Sequence, residues 1–158
     1  MLSASRIFRV LALVLPVLLA VGCASAPPPP KPTIVQITID VDAGVNPDSR
    51  GRASPVVAKL FELKSLAAFE SADFFSLAEK DKETLGAELV AREEFQLQPK
   101  ENRKLERKLP AESRYIGVVA SFRDLERATW RAAVAIPPEK VTNLTIRFDA
   151  RSVSITAR

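Results

Sequence analysis

The sequence predicts a mainly β domain, an antiparallel two-sheet sandwich of about eight short strands with a short helical insertion. Three observations carry this. Apolar and polar residues alternate with period two from Thr33 to Asp42. Similar segments recur at roughly ten-residue spacing to the end of the chain. Ser65 to Lys80 alone changes to helical spacing.

The first strand sets Val35, Ile37, Ile39 and Val41 against Gln36, Thr38, Asp40 and Asp42, the pattern of a half-buried strand. Pro55 to Lys64 reads as a second strand, apolar on both faces at Val56, Val57, Leu60 and Phe61, so its outer side calls for a cover. The helical segment follows. Leu66 with Phe69, and Phe74 with Leu77 and Ala78, have helical spacing, and Ser65 and Ser71 are suitable N-caps for two short helices. Phe69, Phe74 and Phe75 are read as packing residues, and Asp81 to Gly86 as a closing turn. Leu89, Ala91, Phe95 and Leu97 mark a third strand, and Leu105 with Leu109 a weaker fourth. Ile116 to Phe122 alternates with Tyr115, Gly117, Val119 and Ser121 as a fifth. After a connection at Asp124 to Arg127, Trp130 to Ile136, Leu144 to Phe148 and Val153 to Ala157 complete the set.

The amino-terminal segment is different in kind. Arg6 and Arg9 precede an apolar run from Val10 to Val21, interrupted only by Pro16. About a dozen apolar residues suit a secretory signal, whereas a membrane-spanning helix needs roughly twenty. Leu19-Ala20-Val21-Gly22-Cys23 resembles the lipobox of bacterial lipoproteins, with Ala20 where Leu is commonest, and Cys23 is the chain's one cysteine. The resemblance implies cleavage before Cys23 and acylation of its thiol and new amino group. Residues 1–22 are then the signal, and 23–32 form a tether through Pro27-Pro28-Pro29-Pro30-Lys31-Pro32. Polyproline II geometry gives those six residues roughly 20 Å of reach. The domain occupies 33–158. Ala24 replaces the aspartate that retains lipoproteins at the inner membrane, which implies an outer-membrane anchor in the inner leaflet and a periplasmic domain.

Composition narrows the chemistry. Histidine is absent and the cysteine is assigned to lipid, which excludes Ser-His and Cys-His nucleophiles, histidine-ligated zinc and imidazole acid–base catalysis. No glycine-rich phosphate loop occurs, and no Asp-x-Asp-x-Asp-Gly calcium loop. Asp40 and Asp42 lie about 7 Å apart on one strand face, a separation glycosidases use, but their context is an ordinary exposed face. Glu93 and Glu94 point to opposite faces. The expectation is no enzyme, no cofactor and no metal. Without the signal, 21 basic residues face 19 acidic ones, and the densest basic run, Lys100 to Lys108, is interrupted by Glu101 and Glu106. That run reads as a solvated strand face, and no nucleic-acid partner is expected.

The connection from Ala43 to Ala53 is the remaining candidate. Its length exceeds a tight hairpin, Asn46-Pro47-Asp48-Ser49 favours a turn, and Arg50 and Arg52 flank Gly51 at its tip. Here arginine forks are placed to meet carboxylates or aromatic faces.

These residues also carry a family resemblance. Asn46-Pro47-Asp48, Gly51-Arg52-Ala53-Ser54-Pro55-Val56-Val57 and Leu60-Phe61-Glu62-Leu63-Lys64 resemble the outer-membrane lipoprotein of type VI secretion systems, the TssJ (SciN) family. Phe69 with Ala72-Asp73-Phe74-Phe75, Leu85-Gly86, Pro99, Tyr115 to Asp124, and Trp130-Arg131 agree in order and spacing. The resemblance implies a transthyretin-like sandwich with a helical addition. It also implies a place in the membrane core complex, bound to the periplasmic domain of the inner-membrane TssM-like protein. By position, that contact falls on Asn46, Pro47, Asp48, Ser49, Arg50, Gly51 and Arg52. The alternative is a periplasmic lipoprotein that binds peptidoglycan or another ligand, though one Trp and one Tyr make a poor sugar platform.

Overall fold

The structure, a computed structural model, describes residues 30–158. Cys23, the signal and most of the tether lie outside the described residues.

Among the described residues, eight strands form two four-stranded sheets. The first has the order β4-β1-β7-β8, from β1 (Thr33–Val41), β4 (Asn102–Leu109), β7 (Val141–Phe148) and β8 (Val153–Ala157). The second has the order β3-β2-β5-β6, from β2 (Val56–Leu63), β3 (Leu89–Leu97), β5 (Tyr115–Ser121) and β6 (Arg131–Ala135). All pairings are antiparallel except β1 with β7, which run parallel with Ile37 opposite Leu144. Alternation places a strand's faces but not its neighbours, so the parallel pair has no signature in the sequence.

The two inner faces interdigitate as a single core. Val35, Ile37, Ile39, Leu144, Ile146 and Phe148 from the first sheet meet Val56, Ala58, Leu60, Ile116, Val118 and Ala120 from the second. A smaller cluster lies outside the second sheet, where Phe61, Leu63 and Val119 are covered by Phe69, Leu77 and Leu85. The cover that β2 calls for is therefore present.

Three short helices supply it, one more than the spacing predicts: α1 (Ala67–Ser71), α2 (Phe74–Glu79) and α3 (Asp81–Leu85). The expected turn over Asp81 to Gly86 is this third helix, followed by a 3-10 turn over Gly86–Glu88. Asp81 is held there because its buried carboxylate receives Lys59 at 2.7 Å and Arg92 at 3.0 Å. The cap of α2 is also reassigned. Asp73, not Ser71, accepts the Ser76 amide at 3.0 Å, while the Ser71 hydroxyl bonds back to the Ala67 carbonyl. Phe69 packs edge-on against Phe61, with ring centroids 5.9 Å apart, and Phe74 likewise against Trp130 at 5.4 Å. Phe75 is the exception among the expected packing residues, being 60% exposed. Gly117 lets α1 approach the sheet, since a Cβ there would lie 2.9 Å from the Phe69 ring. Arg131 ties the end of α1 down, donating to the carbonyls of Phe69 and Ala72 at 3.0 and 2.9 Å.

The strand directions put all the connections after β1, β3, β5 and β7 at one end of the sandwich. The tether joins at the other end, ahead of Thr33. Nine residues of β1 separate the two ends by about 30 Å.

Candidate functional site

The connection between β1 and β2 is an ordered loop with two parts. Its base is pinned into the sandwich. Val45 is fully buried, the Asn46 amide donates to the Ala150 carbonyl at 3.0 Å, and the Ser54 amide donates to Val45 at 3.1 Å. Asn46 adopts φ +48°, a left-handed conformation that asparagine tolerates better than most residues. Its buried side chain then bridges two segments: Nδ2 donates to the Pro55 carbonyl at 2.7 Å, and Oδ1 accepts the Arg123 amide at 2.8 Å. Both sides of the amide are thereby satisfied, as burial requires.

The tip is closed by Asp48. One carboxylate oxygen accepts the amides of Arg50 and Arg52 at 2.9 and 3.0 Å. The other accepts the Arg52 guanidinium at 2.8 Å from Nε and 2.7 Å from Nη2. The Arg52 backbone and side chain together hold the Asp48 carboxyl below its usual range, with the Arg50 amide adding to the effect. Gly51, at φ +77°, allows the reversal between the two arginines. Arg50 is exposed, and its guanidinium has no hydrogen bond or ion pair among the described residues.

The residues singled out in this stretch thus divide by role. Asn46 faces inward as a latch and offers no surface, a departure from reading it as a contact residue. Arg52 is engaged with Asp48 although 70% of its side chain is exposed. Pro47, Asp48, Ser49 and Gly51 line one wall of a shallow groove of about 750 Å³. The opposite wall comes from Arg123, Asp124 and Arg127 after β5 and from Arg151 after β7. Sequence reasoning connects neither of those segments with the loop, because only the strand order brings them to the same end.

Other candidates resolve into structural roles. Arg147 donates to Asp40 at 2.8 Å and Asp149 at 2.9 Å and lies 3.8 Å from Asp42, so the aspartate pair belongs to a surface ion network. Asp149 and then Asp40 raise the Arg147 pKa further above its ordinary value. The Lys100 to Lys108 run splits along β4: Lys104, Glu106 and Lys108 face solvent, whereas Arg103 stacks on Phe95 and Arg107 pairs with Glu93. Inward-facing charge of this kind protects a sheet edge from pairing with other strands. Glu93 and Glu94 do face opposite ways, Glu94 lying 3.8 Å from Lys59.

Comparison with known proteins identifies this architecture. Residues 33–151 match the family model described as type VI secretion lipoprotein, VasD, EvfM, TssJ. The type VI lipoprotein TssJ1 of Pseudomonas aeruginosa is similar at 41% identity and TM-score 0.78, over 80% of this chain and 97% of that one. Lip of Serratia marcescens, described as a membrane-bound component of the type VI secretion system, is similar at 27% identity and TM-score 0.72, over 78% and 97%. A chain in a structure described as the type VI protein TssM C-terminal domain from EAEC has the same fold at 24% identity and TM-score 0.65, over 77% and 99%. No curated protein sequence matches.

Proposed function

Because the chain belongs to the type VI secretion lipoprotein family, we propose that it is a non-catalytic tether between membranes, docking a TssM-like inner-membrane protein through the loop between β1 and β2. Acyl chains on Cys23 hold it in the inner leaflet of the outer membrane. Each buried methylene contributes about 0.8 kcal/mol, so several chains make release negligible. The proline-rich segment at 23–32 spaces the domain from the bilayer, and the sandwich at 33–158 presents the tip of the loop, Pro47 to Arg52, to the partner, with Asn46 latching its base.

The observation that carries this reading is the placement of the loop. Its tip lies at the end of the sandwich remote from the tether and is held in one conformation by Asp48, with Arg50 unengaged. A preorganised loop loses less entropy on binding than a mobile one.

Two measurements test the proposal. In cells, Cys23→Ser leaves the domain folded and abolishes type VI secretion; normal secretion by that variant removes the anchoring argument. In vitro, the acylated protein in detergent is titrated calorimetrically with the TssM-like periplasmic domain of its own system. One-to-one binding is expected, weakened about tenfold when Arg50 and Arg52 are both replaced by Glu, since like charge replaces complementary charge at a rim. Unchanged affinity moves the site off the tip.

A further inference from the structure

The loop tip is one wall of a groove whose charges are unevenly engaged. Its carboxylates are occupied: Asp48 by Arg52 and two backbone amides, Asp124 by Arg151 at 2.9 Å and by Arg127 at 3.9 Å. Among its cations Arg151 is spent on Asp124, but two others are not so engaged. The Arg123 guanidinium has no hydrogen bond or ion pair among the described residues, and Arg127, 78% exposed, has only that long contact. Arg50 is equally free at the adjoining tip. Several guanidinium groups crowded around a groove repel one another, and a guest carboxylate relieves that repulsion through forked, charge-assisted hydrogen bonds.

We infer that the groove between the β1–β2 loop and the β5–β6 connection receives a carboxylate-bearing segment of the protein partner, gripped by Arg123 and Arg127 with Arg50 at the rim. This rests on the docking reading above and gives it a chemistry: the partner's contact surface is acidic. Two features support it. The Asn46 side chain joins the two walls by bonding Pro55 on one side and the Arg123 amide on the other, so the groove is formed before binding. The groove also lies about 30 Å from the tether end, along the length of β1, and so faces away from the leaflet that holds Cys23. A protein segment reaches it more readily than the phosphates of that leaflet.

The test uses the full acylated protein in detergent and the TssM-like periplasmic domain as probe, titrated at about 50 and about 300 mM NaCl. The variants are Arg123→Glu with Arg127→Glu, the same pair replaced by Lys, and Lys104→Glu with Lys108→Glu on the exposed face of β4 as control. Thermal midpoints verify folding. The inference expects wild-type affinity to fall with salt. The groove reversal loses about tenfold at low salt and flattens the salt dependence. The lysine pair retains charge without the fork and falls between, and the control binds like wild type. If the groove reversal binds like wild type while Arg50→Glu with Arg52→Glu is weakened, the groove is overturned and docking through the tip survives. If the wild-type protein does not bind, both readings fall. If the groove reversal spares the partner but costs a Cys23→Ser protein its sedimentation with phosphatidylglycerol vesicles, the groove belongs to a lipid surface and the inference is overturned.

Discussion

Two excursions leave opposite ends of β2, and they are held down by different forces. The insertion between β2 and β3 is fixed by apolar burial: Phe69, Leu77 and Leu85 close over Phe61, Leu63 and Val119. The loop between β1 and β2 is fixed mainly by polar side chains, Asn46 at its base and Asp48 at its tip. Burial consumes the insertion's surface, leaving Phe75 as its large exposed apolar group. Hydrogen bonding orders the loop while leaving its tip in water, with Arg50 unspent. A segment that must be both rigid and exposed is better held by internal hydrogen bonds than by a core, since a core needs its residues covered.

This contrast predicts separable failures. Phe69→Ala removes a side chain that is 1% exposed and seated on Phe61 and Gly117. The expected cost is about 3–5 kcal/mol of folding stability, from lost transfer and the residual cavity. Docking affinity of the folded protein is expected to stay at the wild-type value. A denaturant titration reads the first and calorimetry the second; a large loss of affinity in folded Phe69→Ala would show that the insertion shapes the binding end after all.

Asn46→Ala should reverse that profile. It strips the Pro55 carbonyl and Arg123 amide of their partner and places alanine at positive φ, for a cost of about 1–3 kcal/mol. The larger consequence is functional, because the loop and the Arg123 segment lose their joint. Amide exchange is expected to rise at Arg123 and across the loop while the β1 and β7 amides stay protected. Exchange that instead rises uniformly would mean the loop unfolds only with the whole domain.

What the sequence discloses follows the same division. Period-two alternation depends only on which face of a strand is buried, so all eight strands are readable, including Gln36, Thr38 and Asp40 on the uncovered face of β1. The break in alternation at Phe61 announces a covering layer, and the helical spacing after Ser65 supplies it. Cap identity is less accessible: Ser71 and Asp73 are both suitable residues two positions apart, and only the packed backbone selects Asp73. The third helix is missed because Asp81-Lys82-Glu83-Thr84 is polar enough to pass for a turn. Its anchor is a buried ion cluster with Lys59 and Arg92, two residues on other strands. In the loop, the turn and its arginines are evident, but the inward role of Asn46 is not. That role requires Arg123, 77 positions away, to arrive beside it. The groove is hidden for the same reason, since Arg123, Arg127 and Arg151 become neighbours of Asp48 only through the strand order.

The finest test of the contrast compares two carboxylates with the same task. Asp48 organises the loop tip and Asp73 caps α2, and hydrogen bonds hold both below the usual carboxylate range. For Asp73 the largest cause is the Ser76 hydroxyl, followed by the Ser76 amide. For Asp48 it is the Arg52 amide, followed by the Arg52 guanidinium. In each case the ionised form is favoured in the folded state. The stabilisation is therefore complete above the ordinary value of 3.8 and is lost as pH falls through the lowered folded value. Arg52→Ala removes the guanidinium and keeps the amide, so the Asp48 midpoint should move part of the way back toward 3.8 while that of Asp73 stays where it is. Carboxyl carbon shifts followed by NMR against pH distinguish the two, with little change in global stability expected because the Arg52 side chain is 70% exposed. A stationary Asp48 midpoint would mean that backbone amides alone close the tip. Arg52 would then be free to join Arg50 in meeting the partner.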